Sequence, residues 1–208
     1  MKAVIVLSYV ENIEKINKNC FKGKIIAADG GNDYLNKIGI KPSVWIGDGD
    51  SSASVTEAEV SYKLPEEKDF TDLEAAIVYA IKEGFEKIHI IGGFGGRFDH
   101  TYGNINTIVK YIEKAEFIIE DGDNRAYFFK PGKYIIKKDG FKYLSFFSIT
   151  DKVEKLTVNN VKYPLENFDL ERFTSLTVSN EILGNQGIVS FEKGILMAVQ
   201  SEKNTNCF

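Results

Sequence analysis

Along the first 122 residues, hydrophobic positions follow two alternating spacings. Short runs rich in β-branched residues, KAVIVLSY, KIIAAD, SVWIGD, KIHIIGG and EFIIED, read as strands. Between them lie ENIEKINKNC, GGNDYLNKIG, TDLEAAIVYAIKEG and DHTYGNINTIVKYIEKA, whose apolar residues recur at three and four and predict helices, the first two on a weaker pattern. In the third segment the stripe is Leu73, Ala76, Ile77, Ala80 and Ile81. Thr71 followed by Glu74 forms a capping box that starts this helix and puts Asp72 at its first position, and Gly84 is placed to end it. Strands alternating with helices give a mostly parallel sheet covered on its faces.

After the turn sequence DGDN, Asp121 to Asn124, the helical spacing disappears. The runs RAYFF, KYIIK, YLSFFSI, KLTVNNVKY, SLTVSN, GIVSF and ILMAVQ follow, separated by PG, KDG, NN and GNQG turn chemistry. The expected organisation is therefore an α/β domain over residues 1–122, followed by a smaller all-β, sandwich-like domain over residues 123–208. Alternation assigns half of Phe141, Tyr143, Phe146 and Phe147 to its core and leaves the rest for an interface.

Composition narrows the function. With 208 residues, 43% hydrophobic and 27% charged, the chain can bury a core, which excludes disorder, collagen and coiled coil. The N-terminal apolar stretch is too short for a signal peptide, and no run of about 18 apolar residues occurs, so a cytoplasmic protein without a membrane partner is expected. Cys20 and Cys207 give neither a disulfide framework nor the paired spacing of a zinc motif. A net charge of −4 and a pI near 5.4 argue against nucleic acid as a partner. Residues 1–122 hold 20 acids against 14 bases, whereas residues 123–208 hold 10 against 12, so the acidity belongs to the first part.

Three of four acidic or glycine-rich clusters fall at the C-terminal ends of predicted strands, where open α/β sheets place ligands, and the other leads into the capped helix. Ala28-Asp29-Gly30-Gly31 leaves a strand for a helix, either as an ordinary turn or as a close backbone approach to a ligand. Gly47-Asp48-Gly49-Asp50-Ser51-Ser52 carries two carboxylates at i and i+2, which extended backbone would project to one side, as a hard cation requires. A solvated turn is its plainer reading. In Glu67-Lys68-Asp69-Phe70-Thr71-Asp72, Asp72 is a third ligand candidate or a helix-dipole partner, and Lys68 is a phosphate partner or a surface lysine. Gly92-Gly93-Phe94-Gly95-Gly96-Arg97-Phe98-Asp99-His100 has too many glycines for a plain connector and suits a phosphate cradle. Arg97 supplies a fork for an anion, and Asp99 is placed to cap, to bind metal or to orient Arg97. His100 stands between structural and catalytic roles, while His89, inside a strand, is expected to be structural. The string matches neither a Walker P-loop nor a dinucleotide fingerprint, so polyphosphate charge would fall to a metal on the Asp cluster, which points to magnesium-nucleotide chemistry.

Taken in order, A-A-D-G-G, G-D-G-D-S, K-D-F-T-D and G-G-F-G-G-R-F-D-H-T-x-x-N resemble the thiamine pyrophosphokinase family over nearly the whole chain, with an S-N pair at Ser179 and Asn180 in the β domain. The resemblance implies transfer of pyrophosphate from ATP to the hydroxyl of thiamine, giving thiamine diphosphate and AMP, with Mg2+ and as a homodimer whose site is shared between subunits. It implies that Asp48, Asp50 and Asp72 bind the metal and, with Arg97 and Asp99, form the catalytic set. Asp29, Gly30, Gly31, Lys68, Gly93, Gly95 and Gly96 would contact nucleotide, and Ser179 and Asn180 the partner subunit's thiamine. Two departures stand out. Gly49 replaces a commonly bulky apolar residue between the aspartates, which is expected to loosen the metal loop. Ile195, Leu196 and Met197 stand where some members carry an aromatic against thiamine.

In-line attack by a weakly acidic alcohol asks for positioning and charge neutralisation, with Asp72 or Asp48 as the candidate base. A magnesium-dependent phosphohydrolase or nucleotidyltransferase would use the same carboxylates, and a non-catalytic nucleotide- or vitamin-binding protein would keep the motifs.

Overall fold

The computed structural model describes residues 1–49 and 58–203, so Asp50, Ser51, Ser52 and Cys207 lie outside the described residues. The chain divides into two compact units, Met1–Gly122 and Asp123–Phe208.

In the first unit, β1 (Lys2–Val6) leads through two 3-10 turns, Ile13–Lys15 and Lys18–Phe21, to β2 (Lys24–Ala28) and α1 (Gly31–Lys37). β3 (Val44–Gly47), β4 (Val60–Lys63), α2 (Asp72–Lys82), β5 (Lys87–Ile91), α3 (Phe98–Lys110) and β6 (Glu116–Glu120) follow. The strand order is β4-β3-β2-β1-β5-β6, and every neighbouring pair is parallel. Chain order reverses between β1 and β5, and at that switch point the strand ends diverge and leave a crevice.

The two faces of this sheet are covered differently. Val4, Val6 and Ile91 on one face pack with Phe21, Ala27, Leu35 and Trp45. α2 buries Leu73, Ala76, Ile77 and Ala80, the face expected from its spacing. Thr71 caps α2 by accepting a hydrogen bond from Glu74 N at 3.2 Å, and Gly84 follows its end at φ 79°. The reciprocal half of the capping box is absent, because the Glu74 carboxylate instead accepts from Tyr111 at 2.7 Å and pairs with Lys110 at 2.5 Å on α3. The first expected helix, ENIEKINKNC, is replaced by the 3-10 turns. Asn12 adopts φ 52° and the Asn17 side chain accepts from Asn19 N, and both asparagines break an α-helix before it can propagate. β4 was not expected, since all its residues are exposed at the sheet edge and carry no burial pattern.

The second unit contains β7 (Asn124–Phe129), β8 (Gly132–Lys137), β9 (Phe141–Ser148), β10 (Lys152–Asn159), β11 (Leu165–Glu171), β12 (Gln186–Phe191) and β13 (Leu196–Lys203). β13 pairs antiparallel with β7 and β9, and the order β11-β10-β12-β8 forms an antiparallel sheet. Leu144, Phe146, Leu196 and Ala198 share one core with Ile136, Val153, Leu156, Val158, Leu170, Val189 and Phe191. Phe141 and Phe146 are buried, and Tyr143 and Phe147 are half-buried.

The run SLTVSN is not a strand. Thr177 Oγ1 donates to Phe146 O at 2.5 Å, and Asn180 bridges to Tyr163, so a turn is held by its buried polar residues while Leu176 and Val178 face solvent. Polar-inward alternation carries the period of a strand without its burial. β11 lies instead in LENFDLE, where register shifts against β10 blur the alternation.

Candidate active site

Asp29 stands one residue beyond β2, where the β2–β3 register pairs Ala28 with Ile46 and brings Asp29 level with Gly47. Asp29 N donates to Ile46 O at 2.8 Å, and Trp45 Nε1 donates to Asp29 O at 3.0 Å. These bonds hold Asp29 at φ 46°, a left-handed conformation that aspartate tolerates better than most residues. A Cβ on Gly47 would lie 3.0 Å from Asp29 Oδ1 and 2.8 Å from its Cα, so glycine is what lets this carboxylate lie against β3.

The other two described carboxylates meet at Lys68. Its ammonium is 2.7 Å from Asp48 Oδ2 and 3.2 Å from Asp72 Oδ1, and its side chain is only 8% exposed. Lys68 is therefore not a surface lysine. Burial opposes its charge, but the two carboxylates outweigh that and raise its pKa. Asp72 is the first residue of α2, as the capping box implied. Burial pushes its pKa up, and Asp48 and Asp29 push it further in the same direction against the pull of Lys68. Asp29 thus belongs to the same electrostatic cluster, a membership that sequence spacing did not reveal. Gly49 sits at φ 88°, and among the described residues an added Cβ would meet Trp45 Cη2 alone, at 3.9 Å. The glycine between the aspartates is thereby explained by a backbone conformation that a bulky residue would strain.

The fourth cluster forms a left-handed loop above β5. Gly92, Gly93, Gly95 and Gly96 have φ of 91°, 91°, 75° and 60°. A Cβ on Gly92 would come within 2.3 Å of Tyr9 O, and one on Gly93 within 2.7 Å of Asn104 Nδ2. Asn104 is buried on α3 and donates to Gly93 O at 3.2 Å, fixing the loop to the helix. Arg97 caps α3 and forms a two-bond fork with Asp99, 2.6 Å from NH2 to Oδ2 and 3.2 Å from Nε to Oδ1. Of the roles open to Asp99, orienting Arg97 is the one this geometry displays. The guanidinium holds the Asp99 carboxyl below the usual carboxylate range. His100 N donates to Asp99 Oδ1 at 3.0 Å.

Asp29, Asp72, Gly93, Gly95, Arg97 and Asp99 line one cleft of about 460 Å³ within the first unit, at the β1–β5 switch point. Asn104, the last residue of the glycine-loop motif, also lines it, as do Leu7, Ser8 and Tyr9, which were not singled out from sequence. Their signal was positional: residues 7–9 directly follow β1, the strand at the switch point. Gly31, in contrast, is engaged by packing, since an added Cβ would lie 2.0 Å from Val6 O. Gly30 is the N-cap of α1.

In the second unit, Ser179 is exposed at φ 60°, and its amide donates to Ser145 Oγ at 3.0 Å. Asn180 is buried, and its side chain is taken up by the chain itself. Its Nδ2 donates to Tyr163 O, and its Oδ1 accepts from Tyr163 N and Glu181 N. Leu196 is wholly buried in the core, whereas Ile195 and Met197 are half-buried.

The Arg97–Asp99 pair is exposed on both sides, and such a pair adds little to stability. Arg97→Ala should leave the melting temperature unchanged and lower kcat/KM about 100-fold through loss of a charge-stabilising donor. A calorimetric scan beside steady-state kinetics checks both parts.

The family model described as thiamin pyrophosphokinase, catalytic domain, matches residues 17–119, and the one described as thiamin pyrophosphokinase, vitamin B1 binding domain, matches residues 133–196. A thiamine pyrophosphokinase of Bacillus subtilis is 35% identical over 184 residues, covering 85% of this chain and 86% of that protein. A crystal structure of thiamine pyrophosphokinase from Bacillus subtilis superposes with a TM-score of 0.83 at 31% identity, covering 97% of this chain and 99% of the other. One from Geobacillus thermodenitrificans gives a TM-score of 0.82 at 29% identity over 100% of both chains. With both domain models matched in order and this identity across most of its length, the chain belongs to the thiamine pyrophosphokinase family.

Proposed function

We propose that the chain transfers the pyrophosphoryl group of ATP to the hydroxyl of thiamine, releasing thiamine diphosphate and AMP. The observation that carries this reading is that Asp48 and Asp72 both pair with Lys68 while Asp29, Asp72 and the glycine loop line one switch-point cleft, in a chain of this family.

The donor set fits Mg2+. Asp29 Oδ1 is buried and has no hydrogen-bond partner among the described residues, and a buried acceptor-only oxygen beside two further carboxylates is what a hard cation uses. Asp48 and Asp72 would hold the ion with Asp50, which lies outside the described residues. When bound, Mg2+ neutralises polyphosphate charge and polarises the phosphorus under attack. The protein's own contribution is placement. The loop from Gly93 to Gly96 cradles phosphates, and Arg97, held by Asp99, faces the developing charge. Lys68 balances the carboxylates before nucleotide arrives and contacts phosphate afterwards. The hydroxyl proton of thiamine passes to Asp48 or Asp72.

We read the antiparallel strands β7, β13 and β9 and the sheet β11-β10-β12-β8 as a sandwich-like thiamine-binding domain, and the active species as a cytoplasmic homodimer in which Ser179 and Asn180 serve the partner's site. Support comes from exposed apolar residues around that turn: Phe173 is 94% exposed, Leu176 67% and Leu183 59%. No helix among the described residues is long and apolar enough to cross a membrane. A sedimentation experiment finding only monomer under assay conditions would remove the shared site.

The reaction is tested by incubating the protein with ATP, Mg2+ and thiamine and resolving nucleotides and thiamine esters. AMP and thiamine diphosphate in equal amounts, absent without thiamine or with EDTA, are expected. ADP or phosphate formed without thiamine would indicate a hydrolase, and ATP binding without turnover a binding protein.

A further inference from the structure

A polar trio lies on the first sheet beside Val4, Ile91 and Ile118. Glu120 ends β6 with no exposed surface, and its Oε2 is 3.3 Å from His89 Nε2 on β5. Cys20 Sγ, on the second 3-10 turn, is 3.7 Å from the same oxygen. One donor atom from each residue lies within 4.8 Å of the other two. Each is placed by its own element: the strand registers put His89 beside Val4 and Ile118, and Glu120 beside Ile91. Cys20 is fixed by its amide to Asn17 O at 2.8 Å and by Lys2 Nζ donating to Cys20 O at 2.8 Å.

Thiol, imidazole and carboxylate together are the donor types that bind zinc-class ions. A tetrahedral zinc with ligands at about 2.0 to 2.3 Å separates its donor atoms by about 3.3 to 3.8 Å. The His89–Glu120 and Cys20–Glu120 separations, 3.3 and 3.7 Å, match edges of such a tetrahedron.

We propose that Cys20, His89 and Glu120 form a buried site for a divalent transition metal of the zinc class, separate from the carboxylate cluster of the cleft. Binding takes the proton from Cys20 Sγ and leaves one coordination position for water. The ion ties the 3-10 turn to β5 and β6 directly beneath the glycine loop, since Gly92 N donates to Glu120 O at 2.8 Å.

The test is a titration of the chelator-stripped full chain with Co2+, in excess Mg2+ to occupy the oxygen cluster. One equivalent of Co2+ should produce a thiolate-to-cobalt charge-transfer band that Zn2+ displaces. Cys20→Ser should lose the band and bind Zn2+ at least about tenfold more weakly, because losing a ligand costs no less than losing an outer-shell partner. Cys207→Ser should keep the band, and His89→Gln should keep it while binding Zn2+ at least about tenfold more weakly. A stripped parent chain that gives no band, or a band that survives in Cys20→Ser, overturns the site.

Discussion

Asp72→Asn is expected to lower kcat by about 10³-fold or more while the metal-free protein melts no lower than the parent. The two halves come from one location. Asp72 opens α2, where a carboxylate gains roughly 0.3 to 1 kcal/mol from the helix dipole. Lys68 at 3.2 Å favours the same charge. Against these stand its burial and the charges of Asp48 and Asp29, and the direction of its pKa says that these prevail. The carboxylate therefore strains the resting protein, and the isosteric amide relieves that strain while keeping the packing. A charge held against its own stability cost is what a cation site requires and what a mere helix cap does not. Kinetics at saturating ATP and thiamine, beside calorimetry in EDTA, separate the two. A near-normal kcat would remove Asp72 from the catalytic set, and a large fall in melting temperature would make it a structural cap.

What could be read from the sequence follows how local each signal is. α2 was legible to its caps because Thr71, Glu74 and Gly84 act within their own helix. β1, β2, β3, β5 and β6 were legible because buried parallel strands are continuous apolar runs. β4 had no such mark, being exposed on every residue. The SLTVSN run misled because its alternation is inverted, with Thr177 and Asn180 inside. In the site, Asp48, Arg97 and Asp99 were visible as residues of the right type beyond predicted strands, and Asp72 as the first residue of the capped helix. The Lys68 bridge and the part played by Asp29 were not, since both depend on the register of β2 against β3 and on the approach of α2. The Cys20, His89 and Glu120 trio had no sequence signature at all, because its members are 69 and 31 positions apart and only the strand order unites them.

Gly31→Ala should destabilise the protein by about 3 kcal/mol or more, at the severe end of overpacking. Packing alone requires glycine at this position, whether or not its backbone also meets nucleotide. The ideal Cβ would lie 2.0 Å from Val6 O, 2.7 Å from Val6 C and 3.3 Å from Leu7 C, all backbone of the strand end at the sheet centre. No rotamer change relieves such a contact. Either α1 lifts away from β1 or residues 6 and 7 shift, and the second response would move Leu7 and Ser8 in the cleft wall. A loss of roughly 6 to 12 °C in melting temperature is expected for a chain of this size. Gly39→Ala is the matched control, since Gly39 has φ 70° and nothing within 4 Å of an added Cβ. It meets only the left-handed backbone penalty, roughly 1 to 2 kcal/mol, and should keep full kcat. Equal losses for the two variants would mean that α1 yields freely at its start and that packing is not what requires glycine at position 31.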